Sequence, residues 1–198
     1  MHQQREHRSQ PLTFRTLRGQ LVAVRQAMAA DTLLLAELLC RLSERALHLR
    51  YMRSGCFSAE AIWSEAVRMT REHPLDHTTL VATIRPNEYD EAVAVAELVR
   101  DRHDPTVGEI ALVVRDDEQQ QGIGSFLLWR LIRLAQRSGI TSLSASMLAE
   151  NSAMFRLICA LGLPYTATTR YGETQMLVSI PGHYEKIALA RSAHKLAA

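Results

Sequence analysis

The sequence predicts a mixed α/β domain with a mainly antiparallel central sheet of six to seven strands, flanked by about four helices. Three observations support this fold class. Short β-branched or alternating runs lie both before and after one long amphipathic stretch at residues 122–138, several of these runs are adjacent in the chain, and no internal repeat is visible. Strands that are adjacent in sequence favour antiparallel pairing, and an amphipathic helix between them must bury its apolar side against the sheet.

Length and charge limit the domain organisation and the partners. The 198 residues suit one domain with a full hydrophobic core. We expect a flexible polar leader at residues 1–10, the domain at residues 11–182, and a tail at residues 183–198. With 23 basic and 21 acidic residues the formal charge is +2, so electrostatics give no reason to expect a nucleic acid or a membrane surface as partner.

The sequence favours a cytoplasmic protein without a metal. No apolar run approaches the roughly 18 residues that a membrane span needs, and the first residues lack the apolar core of a signal peptide. The three cysteines are an odd number at unrelated spacings, which predicts neither a disulfide framework nor a metal site. Residues 73–77 contain two histidines and an aspartate, but no further ligands accompany them, so we expect a polar loop there.

The strands of the first half are predicted from alternation and turn residues. Residues 12–17 and 21–24 flank Gly19, whose permissive backbone suits a short hairpin turn. Residues 78–84 and 91–99 are β-branched or alternating runs, and they predict two antiparallel strands joined through residues 86–87.

Two helices are predicted between those strand pairs. Leucines at spacings of one, three and four indicate a buried helical stripe, with Asp31 as its cap. A second helix begins near Ser58 and ends at residues 73–74, because the residue before a proline disfavours helical geometry. We expect residues 45–57, between these helices, to be irregular.

The second half predicts alternating elements. A strand at residues 107–114 leads to the helix at residues 122–138, and a strand at residues 140–147 leads to a shorter helix at residues 151–161. A closing hairpin at residues 166–180 completes the sheet.

The segment from Gly108 to Ser125 carries the clearest functional signal, since a strand passes through a polar turn directly into a helix. Gly122 and Gly124 allow a ligand to approach the backbone, and the first amides of a helix lack intrahelical partners. Such a terminus attracts phosphate, with a dipole contribution of roughly 0.3–1 kcal/mol. A tight turn or close helix packing would require the same glycines. The segment contains neither a dinucleotide-binding Gly-x-Gly-x-x-Gly nor a Walker Gly-Lys-Ser/Thr.

The pattern Gln-x-x-Gly-x-Gly at residues 119–124 resembles the acetyl-CoA pyrophosphate loop of the GNAT superfamily of N-acetyltransferases. Residues 151–163, an Asn-led helix followed by Leu-Gly-Leu, are similar to the second cofactor segment of that superfamily. Residues 47–51, 108–111 and 149–154 resemble the acetyltransferase domain of bacterial protein-lysine acetyltransferases that act on acyl-CoA synthetases. The resemblance covers roughly residues 12–180, and most of its specificity lies in the two cofactor segments.

The resemblance implies acetyl-CoA as co-substrate and a set of cofactor-binding residues. Main-chain groups of one strand would pair with the pantetheine amides, as another strand would. The alternative for Asn151 is a simple helix cap, and for Arg156 a solvated helix residue. The implied cofactor-binding residues are Leu112, Val113, Val114, Gln119, Gln120, Gln121, Gly122, Ile123, Gly124, Ser125, Asn151 and Arg156.

Glu109 is the catalytic candidate. A lysine with a pKa near 10.4 is only about one part in a thousand neutral at pH 7.4, so transfer to an amine requires a base or a proton route. Strand alternation places Glu109 on one face with Ala111 and Val113, and the resemblance implies the same residue as base. The alternative is a solvated charge at a strand edge.

The general acid is not assigned by the sequence. Many family members carry a tyrosine where this chain has Ile158, so Tyr165 and Tyr171 are unproven substitutes that also suit structural roles. Candidates for the acceptor side are His48, Arg50 and Tyr51.

The predicted function is transfer of an acetyl group from acetyl-CoA to a primary amine, with a protein lysine as the preferred acceptor. Two alternatives remain open. One is a small-molecule amine acetyltransferase, for which we expect an acidic acceptor pocket. The other is a non-catalytic acetyl-CoA-sensing module, which the absence of the family tyrosine keeps open. A homodimer is also left open.

Overall fold

The computed structural model describes residues 11–55, 57–71, 76–85 and 88–182. The expected leader and tail, the helix end at residues 73–74 and the connection at residues 86–87 lie outside these ranges. The strands are β1 (Leu12–Arg15), β2 (Leu21–Gln26), β3 (His77–Ile84), β4 (Glu91–Arg100), β5 (Val107–Val114), β6 (Ser142–Leu148), β7 (Tyr165–Arg170) and β8 (Glu173–Ser179). The helices are α1 (Thr32–Cys40), α2 (Glu44–Tyr51), α3 (Ala59–Thr70), α4 (Ile123–Arg137) and α5 (Ser152–Cys159).

All eight strands form one sheet in the order β1-β2-β3-β4-β5-β6-β8-β7. Every neighbouring pair is antiparallel except β5 and β6, which run parallel because the chain crosses over through α4. The mixed, mainly antiparallel fold is therefore confirmed. The expected number of six to seven strands was too low, since both terminal hairpins, β1-β2 and β7-β8, join the same sheet.

The parallel ladder between β5 and β6 is short. It runs from Val107 opposite Ser142 to Glu109 opposite Ser144. Beyond Glu109, β5 continues to Val114, where its other side remains paired with β4. The ladder between the two central strands thus ends partway along the sheet.

Hydrophobic packing on both faces of the sheet fixes the positions of the helices. On one face, α4 buries Leu127, Leu128 and Leu131 in the larger core cluster, against which Leu112 and Val114 of β5 also pack. On the other face, α1 and α3 form a second cluster that includes Val113. Alternation along β5 therefore ties the strand to both layers.

Residues 45–57, expected to be irregular, contain most of α2. The hydroxyl of Ser43 caps this helix by accepting a hydrogen bond from the N–H of Ala46 at 3.1 Å, and Met52, with φ of +51°, ends it. The prediction was wrong because the helix is rich in charge and buries only Ala46 fully. The cap at Ser43 was the available signal.

Asp31 lies at the expected helix boundary but has another partner. Its carboxylate accepts two hydrogen bonds from Arg25, at 2.6 and 2.7 Å, and one from the N–H of Met28 at 2.8 Å. Its side chain makes no capping bond to α1. The carboxylate therefore ties the end of β2 to the start of the helical layer.

Candidate active site

A cavity of about 450 Å³ opens beside β5, beyond the point at which its pairing with β6 ends. Four elements contribute its walls: the last residues of β5, the loop and first turn of α4, one side of α5, and one side of α2. The cavity therefore has a strand edge on one side and a helix N-terminus on another.

The strand edge consists of residues 112–114. The opposite edge of this stretch pairs with β4, through Val114 opposite Ala94 and Leu112 opposite Ala96. At the end of the strand, the carbonyl of Val114 accepts a hydrogen bond from the side-chain amide of Gln119 at 3.1 Å. An extended ligand can pair with such an edge in the way that a strand would.

The loop before α4 turns sharply through left-handed backbone. Gln120 has φ of +58° and Gly122, the N-cap, has φ of +86°. Gly124 packs closely against α5, because a β-carbon there would lie 3.3 Å from the side chain of Leu157. No side chain caps this 15-residue helix. Its first amides thus remain available to an anion in the cavity.

The start of α5 supplies two further predicted residues. Asn151 accepts a hydrogen bond from the N–H of Met154 at 3.1 Å, so it is the helix cap, and it also lines the cavity. Arg156 is exposed and lines the cavity as well.

The structure brings the predicted cofactor residues together, with one exception. All of them line the cavity except Gln121. Its side chain is buried, and its Oε1 has no hydrogen-bond partner among the described residues.

The sequence analysis missed several lining residues on α2 and α5. The missed residues on α2 lie on one face of that helix, and the missed residues on α5 lie on one face of α5. A spacing of three and four residues was therefore the signal that could have identified them. Glu118 was also missed; it is buried, and its Oε2 has no hydrogen-bond partner in the part of the chain that is described. The missed residues are Ala46, Leu49, Glu118, Ala153, Met154, Leu157 and Ala160, while Arg50 had been a candidate for the acceptor side only.

Glu109 lies outside the cavity wall, at the last pair of the β5-β6 ladder. Its side chain is exposed, on the sheet face that also carries Ala111 and Val113. Leu112, where the cavity wall begins, is three residues further along, or about 10 Å at the rise of a strand. The carboxylate therefore lies beyond the cavity wall, on the side of Leu112 that is away from the N-terminus of α4.

A buried charge cluster lies beside this part of β5. Glu97 on β4 is 3% exposed and is opposite Ala111 of β5. Its carboxylate contacts Arg50, Arg68 at 2.9 Å and the ring of His77 at 2.8 Å. Burial alone would raise the pKa of Glu97, but the hydrogen bond from His77 and the charges of Arg50 and Arg68 outweigh it and lower the pKa to about 2.

Glu97 is expected to make stability sensitive to acid. Because its pKa is lower in the folded state than its ordinary value of 4.5, this stabilisation is complete above that value and is lost as pH falls toward about 2. The full effect is on the order of 3 kcal/mol. Urea unfolding of the wild type and of Glu97→Gln should therefore differ most at pH 6 and progressively less toward pH 3. A difference that does not change with pH would contradict this prediction.

No group of three or more metal-ligating side chains occurs within the described ranges. Of the segment at residues 73–77, His77 is bound to Glu97, and residues 73–75 lie outside those ranges. Among the helices that are described, none is both long and apolar enough to cross a membrane.

Comparison with known proteins identifies the family. The model of the Acetyltransferase (GNAT) family matches residues 46–162, more than half of the chain, including most of α2 and all of β5, the loop and α5. The chain belongs to the GNAT acetyltransferase family. This membership confirms the predicted family and the predicted class of enzyme, an N-acetyltransferase.

Among curated proteins, this GNAT chain is similar to the acetyltransferase Pat of Mycolicibacterium smegmatis. The two are 41% identical over 70 residues, which are 35% of this chain and 21% of that protein. The match therefore spans about a fifth of the relative's length.

Solved structures share the fold. The GNAT domain of S. lividans PAT has a TM-score of 0.75 at 21% identity, covering 86% of this chain and 97% of that one. A cAMP-binding acyltransferase from Mycobacterium smegmatis has a TM-score of 0.58 at 23% identity, covering 91% of this chain and 52% of that one. The putative acetyltransferase yncA of Salmonella typhimurium, solved with its cofactor acetyl-CoA, has a TM-score of 0.59 at 20% identity, with coverages of 84% and 97%.

Proposed function

We propose that this GNAT domain transfers the acetyl group of acetyl-CoA to the amine of a protein lysine. The observation that carries the proposal is the composition of the cavity, which joins a strand edge to the uncapped N-terminus of α4. These two features suit the two chemically different parts of coenzyme A. Amides along the pantetheine arm can pair with the strand edge, and the anionic pyrophosphate can accept hydrogen bonds from the helix amides.

Further residues would hold the phosphate end. Gly122 and Gly124 keep the backbone accessible, and Arg156, exposed at the cavity wall, supplies a positive charge. Asn151 acts first as the cap that fixes the start of α5 beside the cofactor. Calorimetric titration of acetyl-CoA into variants of these residues measures the contribution of each to binding.

Glu109 is the proposed general base. Supplying a neutral lysine amine at neutral pH costs about 4 kcal/mol, part of which a positioned carboxylate can remove during transfer. The amine nitrogen forms a bond to the acetyl carbon, its proton passes to the carboxylate of Glu109, and the bond from carbon to sulfur breaks. The thiolate of coenzyme A leaves, and its ordinary pKa of about 8.5 allows it to take a proton from water.

The structure offers no tyrosine acid in the described part of the cavity wall. Ile158, at the position of the family tyrosine, is 1% exposed and packs in the core. Tyr165 and Tyr171 are exposed and do not line the cavity. Protonation by water therefore fits this site better than protonation by either tyrosine.

The surroundings of Glu109 favour a polypeptide acceptor over a small amine. Along β8, the side chains on the same face of the sheet are exposed, including Gln175 and Leu177. A lysine on a folded or extended protein could reach an open face of this kind, whereas a small amine is better held in an enclosed pocket.

Thiol release from acetyl-CoA, measured with a panel of protein lysines and small amines, would test the proposal. A calorimetric titration of acetyl-CoA would measure cofactor binding separately. Turnover with a protein lysine supports the proposal. Turnover with small amines alone would mean that the acceptor is a small amine and not a protein lysine. Tight binding without turnover would favour an acetyl-CoA sensor. Absence of binding would refute the proposal.

Gly122→Ala is expected to weaken acetyl-CoA binding at least tenfold. An alanine at φ of +86° strains the loop by roughly 1–2 kcal/mol, and its methyl group stands where the backbone would meet the pyrophosphate. Gly139, after the other end of α4, has φ of +75° and, like Gly122, open space where an added methyl group would lie. Gly139→Ala is therefore the matched control: both variants should lose similar stability, but only Gly122→Ala should lose affinity in calorimetry. Equal affinities would contradict the role of the loop.

A further inference from the structure

Lysine is confined to one short segment of this sequence. Lys186 and Lys195 are the only two lysines in the 198 residues, and the other 21 of the 23 basic residues are arginines. Both lysines follow Gly182, beyond the described ranges, so residues 1–182 contain no lysine at all. Every permanent side-chain cation of the folded domain is therefore a guanidinium.

This choice of cation matters in a protein that transfers acetyl groups to amines. A lysine amine releases its proton with a pKa near 10.4 and is then a nucleophile, whereas a guanidinium stays protonated in proteins. Arg50 and Arg156 line the cavity, and Arg100 on β4 is opposite Gly108, the residue before Glu109. These side chains supply positive charge near the site without being acceptors for an acetyl group. The folded domain thus offers no side-chain amine to its own active site.

The chain passes close to Glu109 before it reaches the two lysines. Glu109 of β5 is opposite Ser144 of β6, which is in turn opposite Leu177 of β8. Because neighbouring strands are about 4.8 Å apart, Leu177 lies roughly 10 Å from Glu109 across the sheet. The five residues from Leu177 to Gly182 add at most about 17 Å along the strand direction. Gly182 is therefore roughly 20 Å from the proposed base.

The length of chain after Gly182 distinguishes the two lysines. Lys186 is four residues further on, and four residues span at most about 14 Å, so it reaches Glu109 only along a straight path back. Lys195 is thirteen residues beyond Gly182, and thirteen residues span at most about 45 Å, which leaves ample length for a turn. Glu109 and Leu177 are both exposed on this face of the sheet. Lys195 therefore has both the reach and an open surface to cross.

We propose that Lys195 is an acetylation site of this protein and is modified by the active site of its own chain. The inference rests on the proposed function. Nζ of Lys195 forms a bond to the acetyl carbon, its proton passes to the carboxylate of Glu109, and the bond from carbon to sulfur breaks as coenzyme A leaves as a thiolate. A tethered amine reacts at an effective concentration on the order of millimolar, which favours it over a dilute external acceptor.

Mass spectrometry of the full chain incubated with acetyl-CoA tests the proposal. We expect the wild type to gain one acetyl group, which peptide mapping places on Lys195. Lys195→Arg should lose at least 90% of this modification, because arginine keeps the charge but is not a nucleophile. Lys186→Arg is the matched control and should be acetylated within threefold of the wild-type rate. Equal acetylation of Lys195→Arg and the wild type, or an acetyl group that maps to another residue, would overturn the inference.

Two further measurements establish that the chain's own active site makes the modification. Glu109→Gln should acetylate Lys195 at least tenfold more slowly, whereas a direct reaction of the lysine with acetyl-CoA would not depend on Glu109. At saturating acetyl-CoA, the rate constant should stay within twofold when the protein is diluted tenfold, since the reaction is intramolecular. A rate unchanged in Glu109→Gln, or one that falls in proportion to dilution, would overturn the inference.

An external lysine peptide separates this inference from the proposed function. Lys195→Arg should still acetylate the peptide, because the substitution leaves the catalytic domain unchanged. Acetylation of the peptide by a wild type whose Lys195 stays unmodified would overturn the inference and leave the proposed function intact. Absence of acetylation of both the peptide and Lys195 would refute the proposed function, and the inference with it.

Discussion

Glu109→Gln is expected to lower kcat at least 100-fold while leaving the affinity for acetyl-CoA within threefold. Glutamine keeps the size and much of the hydrogen bonding of the side chain but cannot accept the proton of the amine, and general-base catalysis contributes typically 10²- to 10⁴-fold. Because the side chain is exposed at the end of the β5-β6 ladder, its replacement should not affect folding. Thiol-release kinetics from pH 7 to 9 measure the effect.

Glu173→Gln is the matched control for this prediction. Glu173 is an exposed carboxylate on β8, a strand paired with β6, and it lies opposite Leu148 on the same face of the sheet as Glu109. The same chemical change there should leave kcat within threefold. If Glu109→Gln also stays within threefold of the wild type across that pH range, Glu109 is not the base.

Ser125→Asp is expected to weaken acetyl-CoA binding at least 100-fold without loss of stability. Ser125 is in the first turn of α4 and lines the cavity. An aspartate there interacts favourably with the helix dipole, by roughly 0.3–1 kcal/mol. Toward a pyrophosphate it is a like charge, and two such charges 4 Å apart near a surface repel by about 4 kcal/mol. Calorimetric titration together with urea unfolding measures both effects in one protein.

Ser125→Asn separates charge from size in this test. Asparagine is close to aspartate in shape but neutral, so its Kd should remain within tenfold of the wild type. A similar loss in both variants would mean that bulk, not charge, excludes the cofactor. An unchanged Kd in Ser125→Asp would place the pyrophosphate away from this helix.

Local signals predicted most of the sheet and the end of the cavity at the N-terminus of α4. The strand at residues 107–114 is observed with those bounds, because its β-branched run ends at a polar turn. Gly122 and Gly124 identified the loop, because glycine favours the positive φ of Gly122 and permits the close packing of Gly124 against Leu157. These features depend on residues that are neighbours in the sequence.

The α2 wall and the charge cluster could not be predicted in this way. Glu97 is the one charged residue between the two charged ends of β4, Glu91 and Arg100. Its partners come from three other elements: Arg50 from α2, Arg68 from α3 and His77 from β3. No local pattern reports contacts between residues that are 20 to 47 positions apart. The charges of α2 obscured its helical period, so the wall that it forms was assigned to a loop.

The early end of the β5-β6 ladder has a consequence for how this site can vary. A cofactor that pairs with residues 112–114 through their main chain takes the place of a missing strand. Its recognition then depends on the path of the backbone, which many β-branched or aliphatic side chains can maintain. Related sequences can therefore differ along this edge without loss of binding. Only the glycines of the loop, whose conformation is specific, would then indicate from the sequence that a cofactor binds.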